Sequence, residues 1–365
     1  MMERKNQQYW DEYSNLQHTK HKIIHEYLNG WFPKLGLWAG KILYLDTHAG
    51  RGKHSTGEEG SPLVALRTLL EHRTRDRILQ KSEVNFVFIE RNKENYKRLE
   101  REFRIIEYPT SRIKIKIINS DSFKFLDNLY TQLEQLSGQL APCFMFIDPY
   151  GFKMPCELLQ QIMQHQRSEL LVTIMWRELD MSIMNESRGQ GLTKILNEVF
   201  GCKDWQDVTS IRTSDMRADA AVRLLRKQIG AKWGTYIKMM DNGRTRYLLL
   251  HLTNHDFGRD LIKNVLWNCC PEGGWFARKF DDPKQYRLFK PEPDLSGLHN
   301  WVVDKLKSKD YTWNELAELV REEIWLPKHL WQIVRKLRSD GRMESTNIEG
   351  RFSQKANPTL RLVKD

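Results

Sequence analysis

Asp148-Pro149-Tyr150-Gly151 follows an apolar run, Cys143-Phe-Met-Phe-Ile147, and has the parts needed to hold a flat amine-bearing ring. Proline fixes its own φ and keeps the residue before it extended, which turns the Asp148 carboxylate and carbonyl outward. Those oxygens can accept amine hydrogens, and Tyr150 offers a flat face for a base to stack on. The same tetrapeptide also reads as a plain strand-end turn with Tyr150 packed on the core.

Three other strand ends carry comparable groups. Asp46-Thr-His-Ala-Gly-Arg-Gly52 is a glycine-rich turn whose backbone could approach a ligand closely, although it departs from the GxGxxG dinucleotide pattern. A tight strand-to-helix turn without a ligand fits it as well. Glu90, after Phe86-Val-Phe-Ile89, is placed to accept ribose hydroxyls, or to serve as a first-turn acid of the next helix. Asp121 could face an adenine amino group, or cap the helix that opens at Ser122. No Ser-His-Asp set, HExxH or P-loop occurs. His18, His21 and His25 share a helix without acidic or cysteine partners, so no metal site is expected.

These groups share one edge if the runs before them are strands of one sheet. Lys41–Asp46, Val84–Glu90, Ile113–Asn119, Cys143–Asp148 and Glu169–Trp176 read as short apolar strands. They alternate with helices at Pro62–Leu70, Asn92–Phe103, Ser122–Leu136 and Pro155–His165. That alternation means βαβ units and a parallel, Rossmann-like α/β sheet with helices on both faces. A helix precedes it, with Ile23, Ile24, Tyr27, Leu28 and Trp31 at helical spacing. Residues 177–235 read as a helical insertion. Tyr236–Met240 and Arg246–Leu252 flank Asn242-Gly243 as a hairpin that supplies the last, antiparallel strands.

Phe289–Gly297, with two prolines and no periodicity, reads as a linker. It separates a Rossmann-like domain, residues 1–288, from a tail, residues 298–365. Three helices follow (Leu298–Leu306; Thr312–Ile324, opened by a Thr312…Glu315 capping box; Pro327–Ser339). Two short strands around Asn347-Ile-Glu-Gly-Arg351 complete a winged-helix pattern. From Lys328 onward nine basic residues face three acidic ones before Asp365. Lys328, Arg335, Lys336, Arg338 and Arg342 put that charge on the third helix and wing, as contact with a nucleic-acid backbone requires. Protein docking with solvated bases is the alternative. Leu330, Trp331, Val334 and Leu337 read as core.

The chain has 365 residues, 40% hydrophobic and 11% aromatic, which excludes a disordered protein. Its formal charge of +11 favours polyanionic partners. No apolar run reaches the ~18–20 residues of a membrane span, and the polar N-terminus is not signal-like. Five cysteines without a CxxC pair fit reduced thiols in a cytoplasmic protein.

Tyr44-Leu-Asp-Thr-His-Ala-Gly-Arg-Gly-Lys53, Thr19-Lys-His21 and Gly60-Ser-Pro-Leu63 resemble the RlmJ family of 23S rRNA adenine-N6 methyltransferases over about the first 150 residues. Nearly the whole chain resembles the three-Cys-motif partner (TcmP) family, through Phe146-Ile-Asp-Pro-Tyr-Gly151, Leu252-Thr-Asn-His-Asp-Phe-Gly258 with Val265-Leu-Trp267, and the winged-helix tail. The resemblance implies a class I S-adenosylmethionine (SAM) methyltransferase sheet. It also implies a partner, a radical-SAM-like protein that carries the three cysteines. In that frame Asp46, His48, Gly50 and Gly52 surround the methionine part and Lys20 closes over it. Glu90 takes the ribose and Asp121 the adenine. Asp148 matches the first residue of the DPPY motif of amino-methyltransferases, but Tyr150-Gly151 stands where Pro-Tyr is usual. The expected activity is methyl transfer to nucleic acid, at an adenine exocyclic amine, with Asp148, Pro149 and Tyr150 at the reacting group. A non-catalytic SAM- or nucleic-acid-binding subunit of a two-protein system is the alternative, and a nucleotide-sugar or NAD-linked enzyme a weaker one.

Overall fold

The first helix, α1 (Asn15–Gly36), begins at a reciprocal cap. Gln17 N–H donates to Ser14 Oγ at 3.3 Å, and Ser14 N–H donates to Gln17 Oε1 at 2.8 Å. Ile23, Ile24, Tyr27, Leu28, Trp31 and Phe32 form its buried stripe. The computed structural model describes residues 13–185, 187, 189–270, 276–279, 292–346, 352–353 and 355–363.

After α1 come β1 (Lys41–Asp46), α2 (Ser61–Leu70), α3 (Arg75–Lys81), β2 (Glu83–Ile89), α4 (Lys93–Arg104), β3 (Ile113–Ile118), α5 (Ser122–Gln135), β4 (Cys143–Ile147), α6 (Cys156–Gln164) and β5 (Ser168–Ile174). The insertion follows as α7 (Trp176–Ile183), α8 (Gln190–Phe200), a 3₁₀ turn (Asp204–Ser210) and α9 (Ser214–Ile229). Then come β6 (Trp233–Asp241), β7 (Arg244–Thr253), α10 (Asp256–Cys269) and β8 (Phe276–Arg278).

The sheet order is β3-β2-β1-β4-β5-β7-β6-β8. Strands β1 to β5 pair in parallel, whereas β7 runs antiparallel to both β5 and β6. This is the expected Rossmann-like sheet, and the strand order reverses between β1 and β4. In such a sheet the crevice for a ligand opens at the carboxyl ends of those two strands. Alternation along the strands builds two apolar layers. Tyr44, Phe86, Phe88 and Phe144 form an aromatic layer with Tyr27 and Trp31 of α1. Leu45, Met145 and Ile147 point to the other layer, beside Leu126 of α5 and Leu159 of α6.

The insertion shares that second layer through Trp176, Leu179, Phe200, Trp205 and Leu225. Its helices therefore extend the main core. Trp176, read from sequence as the end of a strand, is instead the first residue of α7. A single apolar run spans both elements, so periodicity gives no boundary. The short helix α3, strand β8 and the two-residue strand Tyr311–Thr312 carry too few residues to show a period, and the sequence reading misses them.

Among the described residues, contacts divide the chain into two compact units. One lies within Met1–Val265 and Phe276–Gln285, the other within Leu266–Trp275 and Tyr286–Asp365. The second contains α11 (Ser296–Ser308), β9 (Tyr311–Thr312), α12 (Trp313–Glu322), α13 (Pro327–Ser339), β10 (Met343–Ser345) and β11 (Thr359–Leu362). Helix α11 starts at Ser296, so Ser296 and Gly297 are helical and not linker; residues 289–291 lie outside the described residues. The Thr312–Glu315 capping box is present. β11 pairs antiparallel with β10 and also with β9. The expected turn at Asn347–Arg351 lies outside the described residues.

Candidate functional site

The βα turns at the carboxyl edge are tied to one another through backbone groups. Thr47 N–H donates to Phe146 O at 3.0 Å and Ala49 N–H to Ile89 O at 2.9 Å, so the turn after β1 is fastened to β4 on one side and β2 on the other. Asn119 Nδ2 donates to Glu90 O at 2.8 Å, and Ser122 Oγ donates to Thr47 O. Gly50 and Gly52 have φ of +66° and +86°, the left-handed region in which glycine carries no Cβ penalty.

Asp46 closes β1 with a fully buried carboxyl group. Ser61 Oγ donates to its Oδ2 at 2.6 Å and His48 N–H to its Oδ1 at 3.1 Å, which ties the turn to the first residue of α2. Burial raises the Asp46 pKa to about 7, against the pull of those two donors. His48 is half-buried. Burial lowers its pKa to about 4, although Asp148 and Asp121 attract the charged form.

Glu90 follows β2. Its Oε2 accepts Gly50 N–H at 2.9 Å and its Oε1 accepts Asn92 N–H at 2.6 Å. Burial raises its pKa while the two backbone donors oppose the rise. Asn92 itself caps α4. Asp121 is the N-cap of α5, accepting Lys124 N–H at 3.2 Å, and its Oδ2 lies 3.6 Å from Arg91 Nη1. The capping reading of Asp121 is thus realised, and its other oxygen remains at the edge. Gly52 approaches α4 so closely that a Cβ there would meet Leu99 Cδ1 at 2.9 Å.

Asp148 lies just past β4, across the switch point from Asp46. Lys20 Nζ of α1 is 2.5 Å from its Oδ2 and stands over the Phe146 ring. Burial alone would raise the Asp148 pKa. The Lys20 ammonium outweighs it and holds the carboxyl below its ordinary value, so the group is ionised at neutral pH. Pro149 is buried, and Tyr150 is 64% exposed. The turn therefore presents the tyrosine ring to solvent at the site, and the core-packed alternative does not occur. Gly151, with φ of +86°, completes the turn.

Sequence reasoning did not single out Ser61 or Asn92 for the site. Both stand at helix starts, where a polar residue is common; Ser61 lies within the Gly60-Ser-Pro-Leu63 match, which assigns it no role, and no motif marks Asn92. Nor did it see that Tyr27 and His251 surround a buried Glu169. Tyr27 Oη donates to Glu169 Oε2, and His251 Nε2 lies 3.4 Å from the same oxygen. Glu169 is near the start of β5, at the opposite edge of the sheet. His21 pairs with Tyr13 Oη at 2.8 Å, and His25 with Thr68 Oγ1 at 2.9 Å.

In the second unit Leu330, Ile333, Val334 and Leu337 form the buried stripe of α13, whereas Lys328, Arg335, Lys336 and Arg342 are exposed and Arg338 is half-buried. Trp331, expected in the core, is 38% exposed with the Arg335 guanidinium 4.5 Å from its ring centroid. It follows Leu330 by one position, about 100° round the helix, and so falls off the buried stripe.

No protein-family model matches this chain, and no curated protein matches it. Solved structures similar to it include a DUF519 protein from Legionella pneumophila, at 15% identity and TM-score 0.36, covering 64% of this chain and 84% of that one. The methyltransferase domain of bacterial CtHen1 is 12% identical at TM-score 0.32, covering 63% and 99%. The cyclopropane synthase MmaA2 from Mycobacterium tuberculosis is 13% identical at TM-score 0.26, covering 67% and 69%. All three scores are below 0.5, so the fold rests on the strand order and register above. Among the described residues no helix is long and apolar enough to cross a membrane.

Proposed function

We propose that the chain is a SAM-dependent methyltransferase acting on nucleic acid, at an adenine exocyclic amine, and that it works with a three-Cys-motif partner protein as a TcmP-like subunit. The observation that carries this reading is Asp148, paired with Lys20, beside an exposed Tyr150 at the topological switch point of the sheet. The donor set around the β1 turn fits the cofactor. Glu90 keeps lone pairs on both oxygens for ribose hydroxyls, and the turn comes close through left-handed glycines. Asp121 stands at the adenine end, and His48 with the Asp46-fastened turn borders the methionine end. When bound, SAM supplies an electrophilic methyl group.

Asp148 accepts an amine N–H and aims the nitrogen lone pair, while Tyr150 stacks the base and Pro149 keeps the turn extended. A carboxyl held below its ordinary pKa is a weak base, so the contribution of Asp148 is orientation, and the amine proton leaves to solvent after transfer. Lys20 keeps that carboxylate ionised and pointed at the site. The second unit, read as a winged helix over residues 298–365 after the 289–297 linker, meets the nucleic-acid backbone through Lys328, Arg335, Lys336, Arg338 and Arg342. The exposure of Lys328, Arg335 and Lys336 opposite the α13 core stripe, and of Arg342 just after the helix, supports that reading. With a cytoplasmic location, the substrate is within reach.

The Lys20–Asp148 ion pair also favours a second reading. One carboxylate oxygen is already engaged, which suits a SAM-binding subunit without catalysis of its own. Labelled-methyl transfer from SAM to DNA and RNA, by the chain alone and with its partner, separates the two. Transfer that is lost in Asp148→Ala while SAM binding persists supports the enzyme, and no transfer by either preparation overturns it.

A further inference from the structure

A cleft of about 380 Å³ lies beside the β1 turn, between the residues after Gly50 and helix α4, and its lining is strongly basic. Arg51, Lys53, Arg98 and Arg101 line it with His54 and Ser55, against one carboxylate, Glu102. Gly52 is what brings them together. With no Cβ to meet Leu99, the loop settles onto α4 and places Arg51 and Lys53 alongside Arg98 and Arg101. Arg51 is 5% exposed, and its fork is fixed by bonds from Nε to Lys53 O at 3.1 Å and from Nη2 to Ser55 Oγ at 2.7 Å. Lys53 is 3.8 Å from Glu102, and Arg98 donates to Glu94 at 2.6 Å. Among the described residues those two carboxylates engage Lys53 and Arg98 and leave Arg101 without an ion-pair partner, so the lining is more basic than acidic.

Gathering four cations around one concavity opposes folding, and a cleft lined by one sign of charge focuses its field on a polyanion. Guanidinium forks, an ammonium and a hydroxyl are the donors that phosphate oxygens take. The cleft begins one residue from Gly50, whose N–H is held by Glu90. An anion seated there therefore adjoins the β1 turn that carries the proposed cofactor site. We infer that this cleft holds a backbone phosphodiester of the nucleic-acid strand next to the target base, a contact of the first unit separate from the basic helix of the second. The inference rests on the nucleic-acid reading above and assigns the strand a path past the site.

The test is a titration of the full chain with a fluorescent 16-nucleotide single-stranded RNA and its DNA counterpart at several salt concentrations, with SAM calorimetry on the same preparations. Arg98 and Arg101 are exposed on α4, so R98Q/R101Q should fold, which circular dichroism verifies. K93Q/K97Q removes the same charge from the same helix outside the cleft lining. R98Q/R101Q should lose about tenfold in strand affinity, and its log–log salt slope should fall by about 0.7, one phosphate contact on a single strand. K93Q/K97Q should change far less, and SAM binding should be unchanged in both. Equal losses in the two double variants, or none in either, overturn the cleft assignment while the proposed function stands. If 5′-AMP binds as tightly as the strand and R98Q/R101Q loses both, the cleft is a free-nucleotide site and the strand path falls. SAM binding by wild type with no strand binding removes both the cleft inference and the nucleic-acid target, and leaves the cofactor reading intact. Absence of SAM binding alongside normal strand binding removes the methyltransferase reading instead.

Discussion

Lys20 Nζ and Asp148 Oδ2 meet at 2.5 Å although 128 residues separate them along the chain. The lysine comes from the helix that covers the sheet, and the aspartate from the strand end at the centre of the site. A cation brought in by tertiary packing thus sets the ionisation of the group at the proposed reaction centre. Removing either partner leaves a largely buried charge uncompensated, which costs more than the pair itself contributes.

Lys20→Met should raise the Asp148 pKa and shift any methyl-transfer pH profile so that its acid limb moves up in pH. Asp148→Ala should lower transfer by roughly 100-fold or more, as loss of an orienting group does. SAM affinity should hold in Asp148→Ala. A single-turnover labelled-methyl assay across pH checks both, and an unmoved acid limb in Lys20→Met would remove the role given to the lysine.

Glu90→Ala should weaken SAM binding by about 10- to 100-fold, the loss of one or two hydrogen bonds to a charged acceptor. It also frees Gly50 N–H and Asn92 N–H, so some thermal stability should go with it. Isothermal calorimetry gives the first quantity and a melting curve the second. Retention of full affinity would place the ribose elsewhere.

Asp46 governs stability in the neutral range. Its ordinary pKa is 3.8 and burial raises it to about 7, so between those values the folded state holds a proton that the unfolded state has released. Stability therefore falls as pH rises through that window, and the loss is complete above about 7. His48, lowered from 6.5 to about 4, acts in the opposite sense and adds stability as pH rises from about 4 to 6.5. The difference between Asp46→Asn and wild type isolates the Asp46 limb, on the order of 4 kcal/mol from pH 4 to 8. Urea unfolding at intervals of pH measures it, and parallel profiles would refute the assignment.

The buried acid at the far edge should matter for folding and not for binding. Tyr27→Phe removes the hydroxyl that donates to Glu169 and should cost about 1–3 kcal/mol, the penalty for a buried acceptor that loses its donor. Gly258→Ala should cost as much or more, because its Cβ would stand 2.5 Å from Glu169 Oε2. Chemical denaturation of each variant, with SAM titration as the control, separates stability from site integrity.

Local signals made much of this architecture legible. Apolar runs of five to seven residues at β1 to β5, separated by helices of which two are capped by Asn92 and Asp121, specify parallel βαβ units. The Asn242-Gly243 turn marks the hairpin, and the Thr312–Glu315 box marks α12. Each is a short-range pattern with its own energetic reason. Where one apolar run serves two elements, as at Ile174 to Trp176, or an element is three residues long, as at β8, the pattern is degenerate and the boundary is lost.

By itself, then, the sequence determined which polar groups end the strands, because residue type and alternation within a strand are local properties. What those groups do was decided by tertiary structure. Asp46 is sealed by Ser61, Glu90 is shared between Gly50 and Asn92, and Asp148 is paired with Lys20, each through contacts between separate elements. Tyr150 could have packed inward or faced the site, and Trp331 could have joined the α13 core; both are exposed. The basic cleft exists because a missing Cβ at Gly52 lets one loop settle on one helix. Charge state, exposure and convergence depend on what lies across space, and no spacing along the chain carries that information.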